Sequence, residues 1–322
     1  MRTVAIVGSG PAGLFAAECL AGAGFAVELF DAMPAPGRKF LIAGRGGLNL
    51  THAEPLELFA TRYGDQRERF ARYLAACSPS DLRGWADGLG AETFVGSSGR
   101  VFPRVFKAAA LLQAWLDRIK GLGGRIHTRH RLIDLQPGPQ LRFATPEGER
   151  TVTPRAVLLA LGGASWPQTG SDGGWAALLA NQGVHVAPFK PANCGFTCDW
   201  SPRLHAAAGK PLKTIAVSFA DHCVRGELVI TEYGLEGGAI YALGRPLREA
   251  LERGEPAVLT LDLKPDLALE PLAKRLAEAG RGTPLDQRLS QRAKLGEAAI
   301  ALKHGRLALA IERGRGVRGD RG

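Results

Sequence analysis

The stretch that decides the fold is Thr3-Val4-Ala5-Ile6-Val7-Gly8-Ser9-Gly10-Pro11-Ala12-Gly13. Its first five residues predict a short buried strand, and the pattern G-x-G-x-x-G then leads directly into a predicted helix rich in Ala and Leu. Gly8 permits a tight turn, Gly10 leaves room for a pyrophosphate beside the backbone, and Gly13 lets the helix lie close to the strand. The stretch therefore predicts a Rossmann-like dinucleotide-binding fold.

An acidic residue stands where this fold binds a ribose. The second apolar run, 26–30, ends in Asp31, at about the spacing of the carboxylate that accepts a hydrogen bond from a ribose hydroxyl. Such a bond favours an unphosphorylated ribose, because a 2′-phosphate would be repelled. The alternative is an ordinary glycine-rich turn with a solvated aspartate. A second G-x-G-x-x-G, at 314–319, follows no predicted strand and opens no predicted helix, so we assign it no role.

Length and composition are typical of a soluble globular protein with two domains. The 322 residues suffice for two substantial cores, and apolar runs such as 156–161 are far too short to cross a bilayer. Met1 leads straight into a strand rather than into a signal peptide, so we expect a cytoplasmic protein without a membrane partner. The five cysteines are too scattered for a disulfide framework, and their spacing predicts no metal site.

The chain is strongly basic, with a formal net charge of +10 and an isoelectric point near 9.7. An excess of arginine is typical of proteins that bind RNA or another polyanion, but a high-GC coding bias that favours Arg, Ala and Gly produces it too. Both interpretations stay open. Residues 303–322 hold six Lys or Arg against two acids, and we expect them to form a disordered basic tail.

The segment 40–52 combines many glycines with a cation, an amide and a hydroxyl group. We expect this composition in a loop that passes close to a flat ligand. The backbone N–H groups of Gly46 and Gly47 and the side chain of Asn49 would point towards that ligand.

The pattern after this loop predicts one α/β domain that extends to residue 190. We predict a helical excursion over 54–90, a helix over 107–120, and short strands over 92–102 and 125–153. A buried strand over 156–161 ends in Gly162-Gly163, which would bring the backbone to a ligand at the carboxyl edge of a parallel sheet.

The alternation of strands and helices ends near residue 190. Strands over 214–219, 227–231 and 257–263, and helices over 269–279 and 286–304, predict a second domain over 191–302. This domain is β-rich and contains some helices.

The order of these signals resembles the YhiN-like, or BaiN/RdsA-like, flavoprotein family. The matching stretches are 4–13, 37–51, 99–103, 159–170 and 226–231, and the resemblance covers the chain from residue 2 to about 300. It implies an α/β fold with a Rossmann-like FAD-binding domain of the two-dinucleotide-binding type and an inserted β-rich domain. Members of the family are linked to reduction of C=C bonds, in bile-acid rings in one branch and in uridine of ribosomal RNA in another.

The resemblance also implies a set of cofactor-binding residues. The pyrophosphate, the ribose, the flavin and the adenine would be held by Gly8, Ser9, Gly10, Ala12, Gly13, Asp31, Arg38, Lys39, Gly46, Gly47, Asn49, Thr51, Leu132, Gly162 and Gly163. Two features depart from the family. Leu48 stands where the family usually has a cysteine, so chemistry that rests on that thiol is absent. The Gly-rich C-terminal segment that returns to the FAD domain is missing, which implies a truncated chain or a site completed in another way.

The leading functional hypothesis is an FAD-dependent oxidoreductase that reduces an electron-poor C=C bond of a small molecule. NAD(P)H would dock transiently as donor, because no second dinucleotide motif lies in a βαβ setting. Two alternatives stay open: an rRNA-modifying flavoenzyme of the dihydrouridine synthase type, and a truncated, non-catalytic flavin-fold protein. A plain NAD-binding dehydrogenase is disfavoured by the loop. The sequence does not predict the oligomeric state.

Five side chains are candidates for handling the substrate. His52 and Tyr233 are candidate proton donors, and Arg45, Arg104 and Lys107 are candidate ligands of an anionic substrate. Each also has an ordinary alternative as a polar loop residue, a turn aromatic or a solvated cation.

Overall fold

The computed structural model describes residues 3–44, 47–104, 107–136, 138–280, 282–302 and 309–310. The chain forms two compact units, Met1–Phe189 and Lys190–Gly322. Two residues of the predicted site, Arg45 and Gly46, lie outside the described residues, as does the predicted basic tail apart from 309–310. That the second unit is an insertion in an FAD-binding domain stays a prediction.

A four-stranded parallel sheet forms the centre of the first unit. Its order is β10-β1-β2-β6, built from β1 (Thr3–Val7), β2 (Ala26–Phe30), β6 (Arg125–His127) and β10 (Ala156–Leu159). Apolar runs in the sequence predicted β1, β2 and β10. β1 is buried on both faces, as is usual for a central parallel strand, whereas the prediction of a buried β10 is wrong, because β10 forms an edge of the sheet and none of its residues is buried. The predicted α/β fold with a parallel sheet is confirmed.

The two faces of β1 enter different cores. Val4 and Ile6 pack with the helices α1 (Pro11–Gly22) and α6 (Ala108–Gly121). Ala5 and Val7 pack on the other face with Phe143, from an antiparallel sheet of β7 (Arg131–Gln136), β8 (Gln140–Thr145) and β9 (Gly148–Val152). Alternate residues of one strand thus hold helices on one face and a sheet on the other. Helix α7 (Trp175–Asn181) follows β10.

The predicted loop over 40–52 is partly wrong. Its first residues belong to helix α2 (Arg38–Ala43), which begins after Gly37, a residue with φ of 67°. Phe40 is buried there and meets the ring of Trp115 edge-on at 6.1 Å, so packing of one apolar face fixes the helix. The segment ends in β3 (Thr51–His52), which pairs with β5 (Arg100–Pro103), and β5 pairs with β4 (Thr93–Val95).

The helical excursion over 54–90 is confirmed as α3 (Leu56–Thr61), a 3₁₀ turn (Gly64–Gln66), α4 (Arg67–Ala76) and α5 (Pro79–Gly88). Ser78 caps α5 in a capping box with Asp81, so local sequence defines where this helix begins.

The second unit is built on an antiparallel sheet of order β15-β12-β13-β14-β11-β16. Its strands are β11 (Phe196–Cys198), β12 (Pro211–Phe219), β13 (His222–Ile230), β14 (Gly234–Glu236), β15 (Thr260–Asp262) and β16 (Leu309–Ala310). Its helices are α8 (Pro202–His205), α9 (Gly238–Ala242), α10 (Gly244–Glu252), α11 (Leu269–Ala277), α12 (Leu285–Arg292) and α13 (Glu297–Leu302). The single helix predicted over 286–304 is wrong, because Lys294, with φ of 51°, interrupts it. Helices α8 to α10 were not predicted.

Candidate functional site

A cavity of about 690 Å³ lies at the carboxyl ends of β1, β2 and β10 in the first unit. Its volume is within the range of about 300–1,000 Å³ that is usual for pockets of cofactors and other small molecules. The cavity is lined by nine of the predicted cofactor-binding residues, namely Gly8, Ser9, Gly10, Ala12, Asp31, Arg38, Lys39, Leu132 and Gly162. The parallel topology thus brings together residues that are up to 154 positions apart in the sequence.

The three glycines of the turn have different surroundings. Gly8 has φ of 106°, and a Cβ atom added to it would overlap the carbonyl oxygen of Ala160. A Cβ on Gly13 would overlap the carbonyl oxygen of Gly8. A Cβ on Gly10, in contrast, would have no protein atom within 4 Å apart from its neighbours in the chain, and Gly10 lines the cavity. The first and third glycines are therefore required by the protein's own packing, whereas the second leaves space that a ligand can fill.

The amino end of helix α1 faces the same space. Its N-cap residue is Gly10, which provides no side-chain hydrogen bond to the first turn, and Pro11 follows as the first helical residue. The free N–H groups of that turn and the positive end of the helix dipole favour an anion at this position.

The carboxylate of Asp31 organises the glycine turn. Its Oδ2 atom accepts hydrogen bonds from the backbone N–H of Ser9 at 2.6 Å and from the Ser9 hydroxyl at 2.5 Å, and its Oδ1 atom accepts from the backbone N–H of Met33 at 2.7 Å. Ser9 is 1% exposed, so this network fixes the turn from inside the protein. An ionised carboxylate has about four acceptor positions, so a ribose hydroxyl could still bind.

Two cations of α2 line the cavity. Arg38 donates from Nη2 to the carbonyl oxygen of Gln168 at 3.3 Å, but its buried Nε atom has no hydrogen-bond partner among the described residues. A buried N–H without an acceptor costs about 1–3 kcal/mol. The exposed side chain of Lys39 lies beside it. An anionic ligand in the cavity would provide the missing acceptor.

The opposite part of the cavity contains residues that the sequence analysis missed. Arg131 forms an ion pair with Asp172 at 3.3 Å, and the backbone N–H of Gly174, followed by the guanidinium of Arg131, lowers the pKa of Asp172 below its ordinary value. Trp175 donates from Nε1 to the carbonyl oxygen of Gly162 at 3.1 Å. Arg131 directly precedes Leu132, a predicted site residue, and this adjacency was the one signal in the sequence from which Arg131 could have been predicted.

Five predicted cofactor-binding residues do not line this cavity. Gly13 lies inside the turn, and the carbonyl oxygen of Gly163 accepts a hydrogen bond from Ser171 at 2.9 Å. Gly47 and Asn49 lie in the segment between α2 and β3, and Thr51 pairs with β5. Their role at the flavin stays a prediction. Leu48, which replaces the family's cysteine, is buried in the core.

The described candidates for substrate chemistry also lie away from the cavity lining. His52 accepts at Nδ1 from the backbone N–H of Glu54 at 3.1 Å, and its Nε2 lies 3.0 Å from the carbonyl oxygen of Ser98. The ring is therefore held by the backbone on both sides. Arg104 is paired with Glu92 at 2.9 Å.

The remaining two candidates have different settings. Lys107 is exposed at the amino end of α6. Tyr233 lies in the second unit and hydrogen-bonds the carboxylate of Glu236. No proton donor can be assigned from these positions, and the candidates stay predictions.

The cavity fits FAD by its donor set. The open space at Gly10, the free N–H groups of α1 and the unsatisfied Nε of Arg38 all suit a pyrophosphate, and the Asp31 carboxylate suits a ribose. No group of three or more His, Cys, Asp or Glu side chains with metal-binding geometry occurs within the described ranges. No helix in the described part of the chain has the length and apolar character that a bilayer span requires.

Fold and cavity together define a Rossmann-type dinucleotide-binding protein. Residues 2–299 match the model of the family described as HI0933-like protein Rossmann domain, and the chain belongs to this family. The predictions of the family and of a Rossmann-like FAD-binding fold are confirmed. Membership also supports the predicted enzyme class, an FAD-dependent oxidoreductase.

Two curated relatives differ in their named activities. The chain is 26% identical over 280 residues to a 3-dehydro-bile acid delta(4,6)-reductase of Clostridium scindens. This match covers 85% of this chain and 67% of the relative. The chain is 25% identical over 242 residues to a ribosomal RNA dihydrouridine synthase of Haemophilus influenzae, which is 73% of this chain and 59% of the relative. The chain thus spans about two thirds or less of the length of each.

Solved structures with similar folds include a dehydrogenase and a fumarate reductase. A 3-ketosteroid-delta4-(5alpha)-dehydrogenase from Rhodococcus jostii is 16% identical with a TM-score of 0.43, and the match covers 67% of this chain and 56% of that one. A flavocytochrome c3 fumarate reductase is 16% identical with a TM-score of 0.48, over 66% of this chain and 47% of that one. At such scores the likenesses decide nothing about the activity of this chain.

Proposed function

We propose that this protein is an FAD-dependent reductase of an electron-poor C=C bond in a small molecule, with NAD(P)H as electron donor. The observation that carries the proposal is the cavity at the glycine turn, which is lined both by Gly10, with open space beside it, and by Arg38, whose Nε has no partner among the described residues. Reduction of C=C is proposed because one relative is named as a bile acid delta(4,6)-reductase.

The residues of the cavity would position the cofactor. The first turn of α1 and the guanidinium of Arg38 would hold the two phosphates, and Asp31 would hold the ribose while it keeps the turn in shape through Ser9. The flavin, when bound, supplies a hydride to one carbon of the double bond, and a protein or solvent acid supplies the proton to the other. Arg131 and Asp172 would frame the end of the cavity near Leu132.

The visible absorption spectrum of the purified full chain tests the first half of this proposal. We expect the two bands of an oxidised flavin, and we expect the cofactor released by heat to run as FAD. Anaerobic addition of NADH or NADPH should then bleach the visible band, and a conjugated enone should restore it. Restoration by oxygen but by no enone of a broad panel would contradict the proposed C=C reduction.

The second candidate function is modification of uridine in ribosomal RNA. It is favoured by the net charge of +10 and by the relative named as a ribosomal RNA dihydrouridine synthase. The reduced protein would then convert uridine in rRNA to dihydrouridine, which mass spectrometry of digested rRNA detects as a gain of two hydrogen atoms. Enones would leave the reduced flavin unchanged.

A further inference from the structure

A cleft of about 410 Å³ lies within the second unit and shares no residue with the cavity of the first. Three separate parts of the chain meet there: the start of β12, the end of β15, and the turn between α12 and α13. They bring together Lys210, Lys213, Lys264 and Lys294. We refer to this site as the lysine cleft.

Most of the positive charge in the lysine cleft is not compensated. Glu297 is the one acidic side chain among the described lining residues, and it forms an ion pair with Lys210. Within the described ranges, the ammonium groups of Lys213, Lys264 and Lys294 form no ion pair. Four lysines against one glutamate leave a formal charge of +3 in a small space, which an anion would relieve.

The lining of the lysine cleft also contains buried apolar residues. Leu212 is 6% exposed, Ile215 is 2% exposed and Ala298 is 5% exposed, and all three line the cleft. Walls of low dielectric constant focus the field of charges that line a cleft, and they raise the local concentration of ions of the opposite sign. The lysine cleft therefore attracts anions more strongly than the same charges would on a flat, solvated surface.

The type of cation argues against a coding bias as the cause. The chain contains 31 arginines and ten lysines. Four of those ten lysines line this cleft, and no arginine does so among the described lining residues. A coding bias towards arginine would place arginines rather than lysines in the cleft. Lysine binds phosphate as a compact point charge, and arginine binds both phosphates and carboxylates through its planar fork.

The backbone at the cleft is strained. Thr214, next to Lys213, has φ of 54°, and Lys294 has φ of 51°. The ladder between β12 and β13 also changes register between Leu212 and Ile215. Such irregularities change the direction of side chains, and strained residues persist only where the surrounding structure holds them in place. Two of the four lysines, Lys213 and Lys294, therefore lie next to or at a residue with a strained backbone conformation.

We propose that the lysine cleft binds phosphate groups, and that its ligand carries at least two of them. The described lining contains no aromatic ring on which a base could stack, so the cleft would hold the phosphates rather than the base of a nucleotide ligand. The same chemistry is offered by a free polyphosphate or nucleotide and by the backbone of RNA. The proposal is independent of the function proposed for the FAD cavity.

Titration with inorganic tripolyphosphate tests the proposal on the full-length protein at about 50 mM salt, where phosphate contacts are strong. The test variant carries Lys213→Gln and Lys294→Gln, two exposed positions of the cleft. The control carries Lys120→Gln and Lys274→Gln, two exposed lysines on α6 and α11 that lie outside it. Both variants lose the same charge, and circular dichroism establishes that both are folded.

We expect the cleft variant to bind tripolyphosphate roughly tenfold more weakly than the wild type, and the control variant to bind like the wild type. Equal affinity of the two variants, or no binding to the wild type, would overturn the proposal. If the cleft variant does not fold, Lys264→Gln against Lys274→Gln gives the same comparison with one lysine.

A labelled single-stranded RNA of about 12 nucleotides distinguishes the two sources of phosphate. For an RNA ligand, tripolyphosphate should displace the RNA, and each lysine removed should reduce the slope of log Kobs against log salt by roughly one. For a free polyphosphate or nucleotide, tripolyphosphate binding should depend on the cleft while RNA binding is absent or equal in all three proteins. Either result supports a phosphate site and assigns its ligand.

Discussion

Replacing Gly10 with alanine separates cofactor binding from folding. Gly10 has φ of −71° and ψ of 178°, an extended conformation that alanine adopts without strain. Apart from its neighbours in the chain, the added methyl group would have no protein atom within 4 Å. The free energy of unfolding of the apoprotein should therefore stay unchanged or rise by about 0.4–1 kcal/mol, because alanine restricts the unfolded chain.

The effect on the cofactor should have the opposite sign. Gly10 lines the cavity, and the methyl group would take up open space beside the first turn of α1, where the pyrophosphate is proposed to bind. Overfilling of a packed contact typically costs about 1–3 kcal/mol. At 1.4 kcal/mol for each factor of ten, the Kd for FAD should rise by roughly 5- to 150-fold.

Two measurements on the same apoprotein provide the test. Quenching of flavin fluorescence gives the Kd for FAD, and urea unfolding gives the stability. Gly22→Ala is the matched control, because Gly22 also lies in α1, its added Cβ also meets no atom within 4 Å, and it does not line the cavity. The reasoning is refuted if G10A and G22A bind FAD equally well, or if G10A is less stable than the wild type.

Three further predictions concern residues around the parallel sheet. Arg38→Met should weaken FAD binding by roughly tenfold or more in a flavin titration, because a charged hydrogen bond is worth about 1.5–3 kcal/mol. The stability of the apoprotein should not fall, because the substitution also removes the unsatisfied Nε atom. The carboxylate of Glu18 accepts hydrogen bonds from Trp85 and Trp115 and forms an ion pair with Arg118. Glu18→Ala should therefore lower the free energy of unfolding, measured in urea, by about 3–5 kcal/mol, and Glu18→Gln should lower it less. Equal losses in the two variants would contradict this account. Burial lowers the pKa of His127 in the folded protein, so the histidine binds a proton more readily in the unfolded chain. Stability should therefore fall as the pH decreases from about 6.5, the pKa in the unfolded chain, towards the lower pKa in the folded protein. Unfolding curves between pH 7 and 5 should show a smaller fall in His127→Phe than in the wild type.

The glycine turn could be predicted from sequence because its determinants are local. The strand, the three glycines, the helix and Asp31 lie within about thirty residues, and each needs little from the rest of the chain. The capping box of Ser78 is similar, since its two partners are three residues apart. Such features are specified by short-range stereochemistry, so tertiary packing does not override them.

The other side of the cavity depends on distant packing. Arg131 and Asp172 are 41 residues apart, and their ion pair requires the positions of both β7 and the segment after β10. Neither residue carries a local motif. Helix α2 was missed for a related reason: its six residues are held by Phe40 against Trp115, a contact that no periodicity within six residues can reveal.

Arg38 connects folding of the first unit to its proposed ligand. Its guanidinium is placed by the backbone bond to Gln168, 130 residues away, and this placement leaves the buried Nε atom unsatisfied among the described residues. Burial without a partner makes the apoprotein less stable than the same fold with an acceptor in the cavity. A ligand that binds only the folded state adds stability in proportion to the logarithm of its concentration over Kd. Among the described residues that line the cavity, Arg38 thus carries a buried N–H group for which the protein provides no acceptor, and an anion that bound to it would stabilise the folded state.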